Sequence, residues 1–144
     1  MNLKELEDRI ALRELIDKIS IFGDKRDFEN QVSLFSENAI SETIAEGRTI
    51  LTLNGRKEMA LAFQNFLQEF EIVYHFTGQH IVKIDGDIAT GESYCYITLL
   101  GYSDGKKIKT TIGATYQDDY IRADGQWLVS KRISNFRWQD KMNT

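Results

Sequence analysis

An α+β fold, with helices gathered on one face of a mostly antiparallel sheet, is predicted by three observations. The first third of the chain carries apolar residues at helical spacing. The second half is a succession of apolar, β-rich segments separated by Asp-Gly turns. The length of 144 residues, with 42% of them hydrophobic, suits one domain spanning 1–144. A chain of this size buries roughly 70% of the surface its unfolded form exposes, enough for a core and one enclosed pocket without disulfide or metal staples.

Asn2 followed by Glu5 matches a capping box. Leu3, Leu6, Ile10, Leu12, Leu15, Ile16 and Ile19 then recur at three- and four-residue spacing among charged residues, which predicts one long amphipathic helix ending near Gly23. Asp27 can cap a short second helix with Phe28, Val32 and Phe35 on one face, and Asp24 falls in the connection. From Asn38 to Asn54 the texture changes to alternating Ile, Thr and Leu broken at Glu46-Gly47, a short hairpin. Asn54-Gly55 opens a third helix whose apolar face is Met59, Phe63, Phe66 or Leu67, and Phe70. Four strand segments follow near 72–84, 88–102, 107–121 and 127–138. They are joined by Asp85-Gly86-Asp87, Asp104-Gly105 and Asp124-Gly125, hairpin signals because Asp and Gly tolerate positive φ. Gly78 and Gly113, inside strand segments, mark bulges or close backbone approach.

Composition narrows the function. Eighteen basic residues against 22 acidic ones give a net charge of −4, with no basic run longer than two, which argues against DNA or anionic membranes as partners. Proline is absent, where average usage of about 5% would supply roughly seven; Pro-rich linkers and cis-prolines are excluded. The single cysteine, Cys95, rules out an intramolecular disulfide and a Cys-based zinc site, and its apolar alternating segment marks it as a small buried hydrophobe. A charged N-terminus and the lack of any apolar run approaching about 18 residues lead us to expect a soluble cytoplasmic protein. No glycine pattern forms a phosphate loop.

The chemistry-bearing residues are few. His75 and His80 are the only histidines, and their odd spacing in a strand predicts opposite faces, so they do not share a metal. A pocket histidine becomes a general base when a carboxylate fixes its tautomer. Asp24, following the apolar helix end Ile19 to Gly23, is the most suggestive carboxylate, whereas Asp17, Asp27, Asp118 and Asp119 read as surface or turn residues. The residues alone leave two readings open: Asp24 paired with His75, or Asp24 as a loop or capping residue and His75 as a hydrogen-bonded core histidine. Tyr94, Tyr96, Thr98, Leu100 and Tyr102 alternate along one strand face, where they can serve sheet packing, a subunit interface or an oxyanion donor. Asp118 and Asp119 point to opposite faces and do not form a shared-proton pair.

Several stretches, in this order and spacing, resemble the SnoaL-like branch of the nuclear-transport-factor-2-like superfamily. They are Ala11-Leu12-Arg13-Glu14-Leu15-Ile16, Phe22-Gly23-Asp24-Lys25-Arg26-Asp27, Tyr74-His75-Phe76-Thr77-Gly78-Gln79, Asp87-Ile88-Ala89-Thr90-Gly91-Glu92 and Tyr120-Ile121-Arg122-Ala123-Asp124-Gly125-Gln126-Trp127. The resemblance covers Ala11 to Trp138 and implies a cone-shaped, cystatin-like roll: three N-terminal helices on a curved, mostly antiparallel sheet. Within that superfamily the chain is most similar to the scytalone dehydratase and hexachlorocyclohexane dehydrochlorinase group. That likeness implies His75 as base, Asp24 as its orienting carboxylate and Arg132 as a pocket arginine from the last strand, with no cofactor and no metal. Phe22, Gln79, Tyr94 and Tyr96 are the candidate substrate-contacting residues. The departures are specific. Gly23 stands where scytalone dehydratase-like pockets have Tyr, no second pocket His follows His80, and Ile19 stands where dehydrochlorinase-like pockets have a lysine. The expected function is a cofactor-independent lyase or isomerase, dehydratase-like, acting on a small apolar ring or polyketide-like molecule. A noncatalytic ligand-binding or assembly module of the same fold is the alternative. The family resemblance also implies a homodimer through the sheet face opposite the helices, and His80, on the face opposite His75 by strand parity, then belongs to that interface.

Overall fold

The structure is a computed structural model and describes residues 1–144. Helix α1 (Leu3–Asp24) is followed by α2 (Phe28–Val32), the hairpin β1 (Phe35–Ala45) and β2 (Arg48–Asn54), and α3 (Arg56–Leu67). The meander β3 (Phe70–Asp85), β4 (Ile88–Ser103), β5 (Lys106–Ala123) and β6 (Gln126–Asn143) completes the chain. Six strands form one sheet in the order β2-β1-β6-β5-β4-β3, antiparallel throughout except for the parallel pair β1 and β6. Three helices on a curved, mostly antiparallel sheet is the α+β architecture the sequence implied.

The turns follow the predicted chemistry. Glu46-Gly47, Asp104-Gly105 and Asp124-Gly125 each have positive φ at both residues, between 51° and 76°, the conformation of a type I′ hairpin turn. The strands are longer than their apolar patterns suggest, and β1 begins at Phe35, pairing with Val129 on β6, so Phe35 belongs to the sheet rather than to the α2 face. Phe70 likewise opens β3 instead of closing α3. An 18-residue strand would run about 60 Å if straight. Bulges absorb that length by bending the sheet: register shifts occur at Thr77–His80 in β3 and, in β6, at Arg137 opposite Gly113/Ala114 and at Ser130 opposite Asp119/Tyr120. Both glycines expected to mark irregularities lie at them. At Gly113 a Cβ would come within 2.2 Å of the Trp138 indole, so only glycine lets that ring lie across the strand.

Helix α1 buries Leu12, Leu15, Ile16 and Ile19 against the concave sheet face, where they meet Phe35, Ala89, Tyr120, Trp127 and Val129. A second cluster joins Leu67 to Val73, Cys95, Ile97, Leu99, Ile112, Ala114 and Tyr116, and Cys95 is the buried hydrophobe its segment predicted. Leu3, Leu6 and Ile10 face solvent, because the buried stripe of α1 runs through Asp8, Leu12, Leu15 and Ile19 at steps of three and four. Asp8 takes the core position in the early turns. It accepts hydrogen bonds from Arg122 on β5 and from the Trp127 indole at 3.1 Å on β6, and the Arg122 guanidinium lies 4.4 Å over that indole.

The Arg122 hydrogen bonds hold the Asp8 carboxyl below its ordinary range; burial opposes them, while Trp127 and Lys4 reinforce them. Asp8 therefore contributes stability that is present above the ordinary carboxylate range and lost as pH falls through its lowered folded value. Asp8→Asn is expected to cost about 1–3 kcal/mol in urea unfolding at neutral pH. The gap between variant and native protein should shrink in strongly acidic buffer; a gap that persists there would contradict the ion pair.

Candidate active site

Between the helices and the concave sheet face lies a cavity of about 390 Å³. Its walls are chiefly apolar, with Ile19, Phe35, Phe63, Phe66, Ile97 and Ile112 among them, and His75, Arg132, Gln31 and Tyr116 are its principal polar or titratable features.

Asp24 is the last residue of α1, where a carboxylate opposes the helix dipole and the final turn holds no basic residue. Other groups compensate. The His75 backbone N–H donates to Asp24 Oδ1 at 2.9 Å and to Oδ2 at 3.2 Å, and His75 Nδ1 lies 2.7 Å from Oδ1. The chain beyond Asp24 turns sharply: Arg26 has φ 57°, its N–H donates to Gly23 O, and Asp27 N–H donates to Phe22 O. The Arg26 guanidinium then bonds the carbonyls of Leu67 and Phe70, fastening this corner to the end of α3 and the start of β3. An ionised carboxylate only accepts hydrogen bonds, so the proton between it and the imidazole sits on Nδ1. His75 Nε2 has no protein partner, and the residue lines the cavity.

Arg132, on β6, reaches the same cavity from the sheet floor. It is 7% exposed and paired in bidentate fashion with Asp118 on β5, Nε to Oδ1 at 2.8 Å and Nη2 to Oδ2 at 3.0 Å. Its guanidinium lies 4.0 Å over the Tyr116 ring. Burial by itself lowers the Arg132 pKa, but the Asp118 charge and hydrogen bonds overcome it, and the net displacement is upward. A fixed positive charge therefore stands at the cavity.

Asp118 is buried, contrary to its reading as a surface residue. The signal was present in the alternation of β5: Ile112, Ala114, Tyr116, Asp118 and Tyr120 share one face, and a carboxylate between two tyrosines needs a cation. Tyr120 O–H donates to Asp118 Oδ2 at 3.0 Å, and His80 Nε2–H donates to the Tyr120 oxygen at 3.1 Å. His80 is thus on the inner face with His75, not at an outer interface. The bulge reverses the expected parity: Thr77 pairs with Cys95 and His80 with Ser93, so three residues of β3 oppose two of β4 and every side chain beyond Gly78 changes sides. Burial pushes the His80 pKa down, with Asp118 opposing, and the ring is neutral near neutral pH.

The expected substrate-contacting residues are elsewhere. Gln79, Tyr94 and Tyr96 lie on the outer sheet face, along a shallow groove with Phe76, Arg137 and Trp138. Phe22 packs against the helical side of the core and does not line the cavity. Gln31, missed in the sequence, does line it; its signal was its position three residues after Phe28, on the inward stripe of α2. No group of three or more His, Cys, Asp or Glu side chains is gathered to hold a metal ion, and no helix is long and apolar enough to cross a membrane.

The chain matches a known family. The model of the SnoaL-like domain matches residues 4–133, and the chain belongs to that family. An uncharacterized protein of Mycobacterium tuberculosis is 24% identical over 143 residues, covering 99% of this chain and 94% of that protein. Among solved structures, a protein assigned as a scytalone dehydratase from Novosphingobium aromaticivorans superposes with a TM-score of 0.85 at 17% identity, covering 97% of this chain and 91% of that one. Hexachlorocyclohexane dehydrochlorinase LinA-type3 from Novosphingobium barchaimii gives a TM-score of 0.80 at 23% identity over 99% and 94% of the two chains. These likenesses establish the shared fold.

Removing one member of a buried ion pair strands the other. Asp118→Leu is expected to cost about 3–5 kcal/mol in chemical denaturation, and Asp118→Leu with Arg132→Met to recover much of it. Equal stability of the single and double variants would show that the pair is not coupled.

Proposed function

We propose that the protein is a cofactor-independent lyase or isomerase, with dehydratase-like proton abstraction and elimination, acting on a small, largely apolar ring or polyketide-like substrate. The observation that carries this reading is the 2.7 Å contact between Asp24 Oδ1 and His75 Nδ1, which leaves Nε2 without a protein partner at an apolar cavity. In the proposed step Nε2 takes a proton from carbon next to a carbonyl or leaving group. The resulting imidazolium is stabilised by the Asp24 carboxylate, and negative charge left on the substrate is stabilised by Arg132, whose Nη1 is not engaged by Asp118. The apolar walls exclude water, which strengthens both interactions. Such a base supplies about 10²–10⁴-fold in rate, on the order of 3–5 kcal/mol of barrier. A noncatalytic module would be expected to have a filled interior and a histidine bonded only to backbone.

The outer face supports a further part of this reading, a homodimer through the sheet. Tyr74, Phe76, Tyr94, Tyr96 and Trp138 present a half-exposed aromatic surface there, with Tyr96 and Trp138 packed edge to face at 6.0 Å. Light scattering at micromolar concentration is expected to give the dimer mass, and Trp138→Asp to lower it; a monomer in the native protein would sink this point.

Deuterium uptake in D2O by a set of small hydroxylated cyclic ketones, followed by mass spectrometry, tests the base without knowledge of the leaving group. Native protein is expected to accelerate uptake or elimination for at least one of them, and His75→Ala to reduce that rate about 10²–10⁴-fold. Asp24→Asn should reduce it at least about tenfold. Rates indifferent to His75→Ala would overturn the proposal.

A further inference from the structure

The cavity contains a hydrogen-bonding demand that the protein itself leaves unmet. Gln31, on α2, is 8% exposed, and its amide Nε2 donates to the Ile19 carbonyl on α1 at 3.0 Å. Its Oε1 is buried and has no partner. The amide cannot be reversed, because carbonyl oxygen would then face carbonyl oxygen, so the acceptor end is fixed by the helix it leans on. A buried acceptor without a donor is destabilising, and native folds rarely retain one without a use.

Its surroundings locate that use. Gln31 lines the same cavity as His75. A Cβ placed on Gly23 would stand 2.8 Å from Gln31 Nε2 and 3.8 Å from His75 Cε1, so the amide occupies the space of the missing side chain, beside the imidazole. A larger residue at 23 would expel the amide from that position. Glycine here is required by the approach of Gln31 and not by backbone conformation, since no positive φ occurs at this residue.

We infer that Gln31 is a specificity-determining residue whose Oε1 accepts a hydrogen bond from a hydroxyl group of the substrate. The ligand class is thereby narrowed to apolar rings bearing a hydroxyl donor close to the carbon that faces His75; fully halogenated or purely hydrocarbon rings leave the acceptor unmet. The inference rests on the cavity as the ligand site and deepens the proposed function, but its test does not require turnover.

Equilibrium binding of two probes of similar shape, β-naphthol and β-methylnaphthalene, is measured by ligand-observed NMR competition. The native protein is expected to prefer β-naphthol by about tenfold. Gln31→Met should bring the ratio close to one by weakening β-naphthol alone, and Gly23→Ala, which displaces the amide without removing it, should lower the ratio too. His75→Ala is the decisive control, since a naphthol hydroxyl could instead donate to Nε2. A preference kept in His75→Ala and lost in Gln31→Met supports the assignment. A preference lost in His75→Ala and kept in Gln31→Met overturns it, as does a native protein that binds neither probe or both equally. If the preference follows Gln31 while deuterium uptake is indifferent to His75→Ala, the proton-abstraction reading alone falls.

Discussion

One carboxylate holds the two layers of this protein in position. Asp24 ends α1 with its charge opposed to the helix dipole, and three contacts from His75 offset that opposition: the backbone N–H to both oxygens and the ring Nδ1 to one. Because the backbone N–H is included, the bond fixes the position of β3 as well as the rotamer of a side chain. Together with the buried side chains of Leu12, Leu15, Ile16 and Ile19 it sets α1 against the sheet. Arg26 reinforces the same corner by bonding the carbonyls of Leu67 and Phe70, which ties the start of β3 to the loop that follows Asp24. Loss of the carboxylate would release a strand, a helix and the His75 ring together.

The sheet floor on the same inner face is organised differently. From Arg132 through Asp118 and Tyr120 to His80, each polar group meets a partner between 2.8 and 3.1 Å away. Burying a guanidinium and a carboxylate removes several kcal/mol of hydration from each, and the bidentate geometry is what makes the pair tolerable. Its benefit is placement: the cation is held at the cavity by a rigid sheet, and its remaining edge is available without any movement of the side chain. The Tyr116 ring beneath it supplies a face that desolvates the cation without competing for hydrogen bonds.

Much of this was legible in the residues, for identifiable reasons. Asp-Gly pairs specify their turns locally, so the meander could be read from three dipeptides. The Asp24 and His75 pairing followed from an acid at the end of an apolar helix and a histidine in a strand, joined by family resemblance. What failed were inferences carried by strict alternation across an irregular strand. His80 was placed outside because parity was counted through Gly78 and Gln79, where one extra residue in β3 reverses it. Gln79, Tyr94 and Tyr96 failed for another reason. Alternation says which residues share a face, but not which face the helices cover, and the aromatic row of β4 turned out to be on the uncovered side. Leu3, Leu6 and Ile10 are apolar without being buried, since Asp8 claims the inward position to reach Arg122 and Trp127. Each of these depends on a partner distant in the chain, which local spacing does not encode.

The bulge also explains how two histidines on one strand come to have different roles. Both now face inward, in one strand and under one layer of helices, so residue type and placement do not separate them. Their partners do. His75 meets a carboxylate through Nδ1 and leaves Nε2 free at a cavity, the arrangement of a base whose conjugate acid is stabilised. His80 spends Nε2 on a tyrosine whose own proton is committed to Asp118, and burial holds its pKa down. An imidazole in that position donates a single hydrogen bond and stays neutral, closing a chain that ends on Arg132. The same side chain thus has Nε2 free at one site and engaged at the other, and what decides between them is which ring nitrogen the fold occupies.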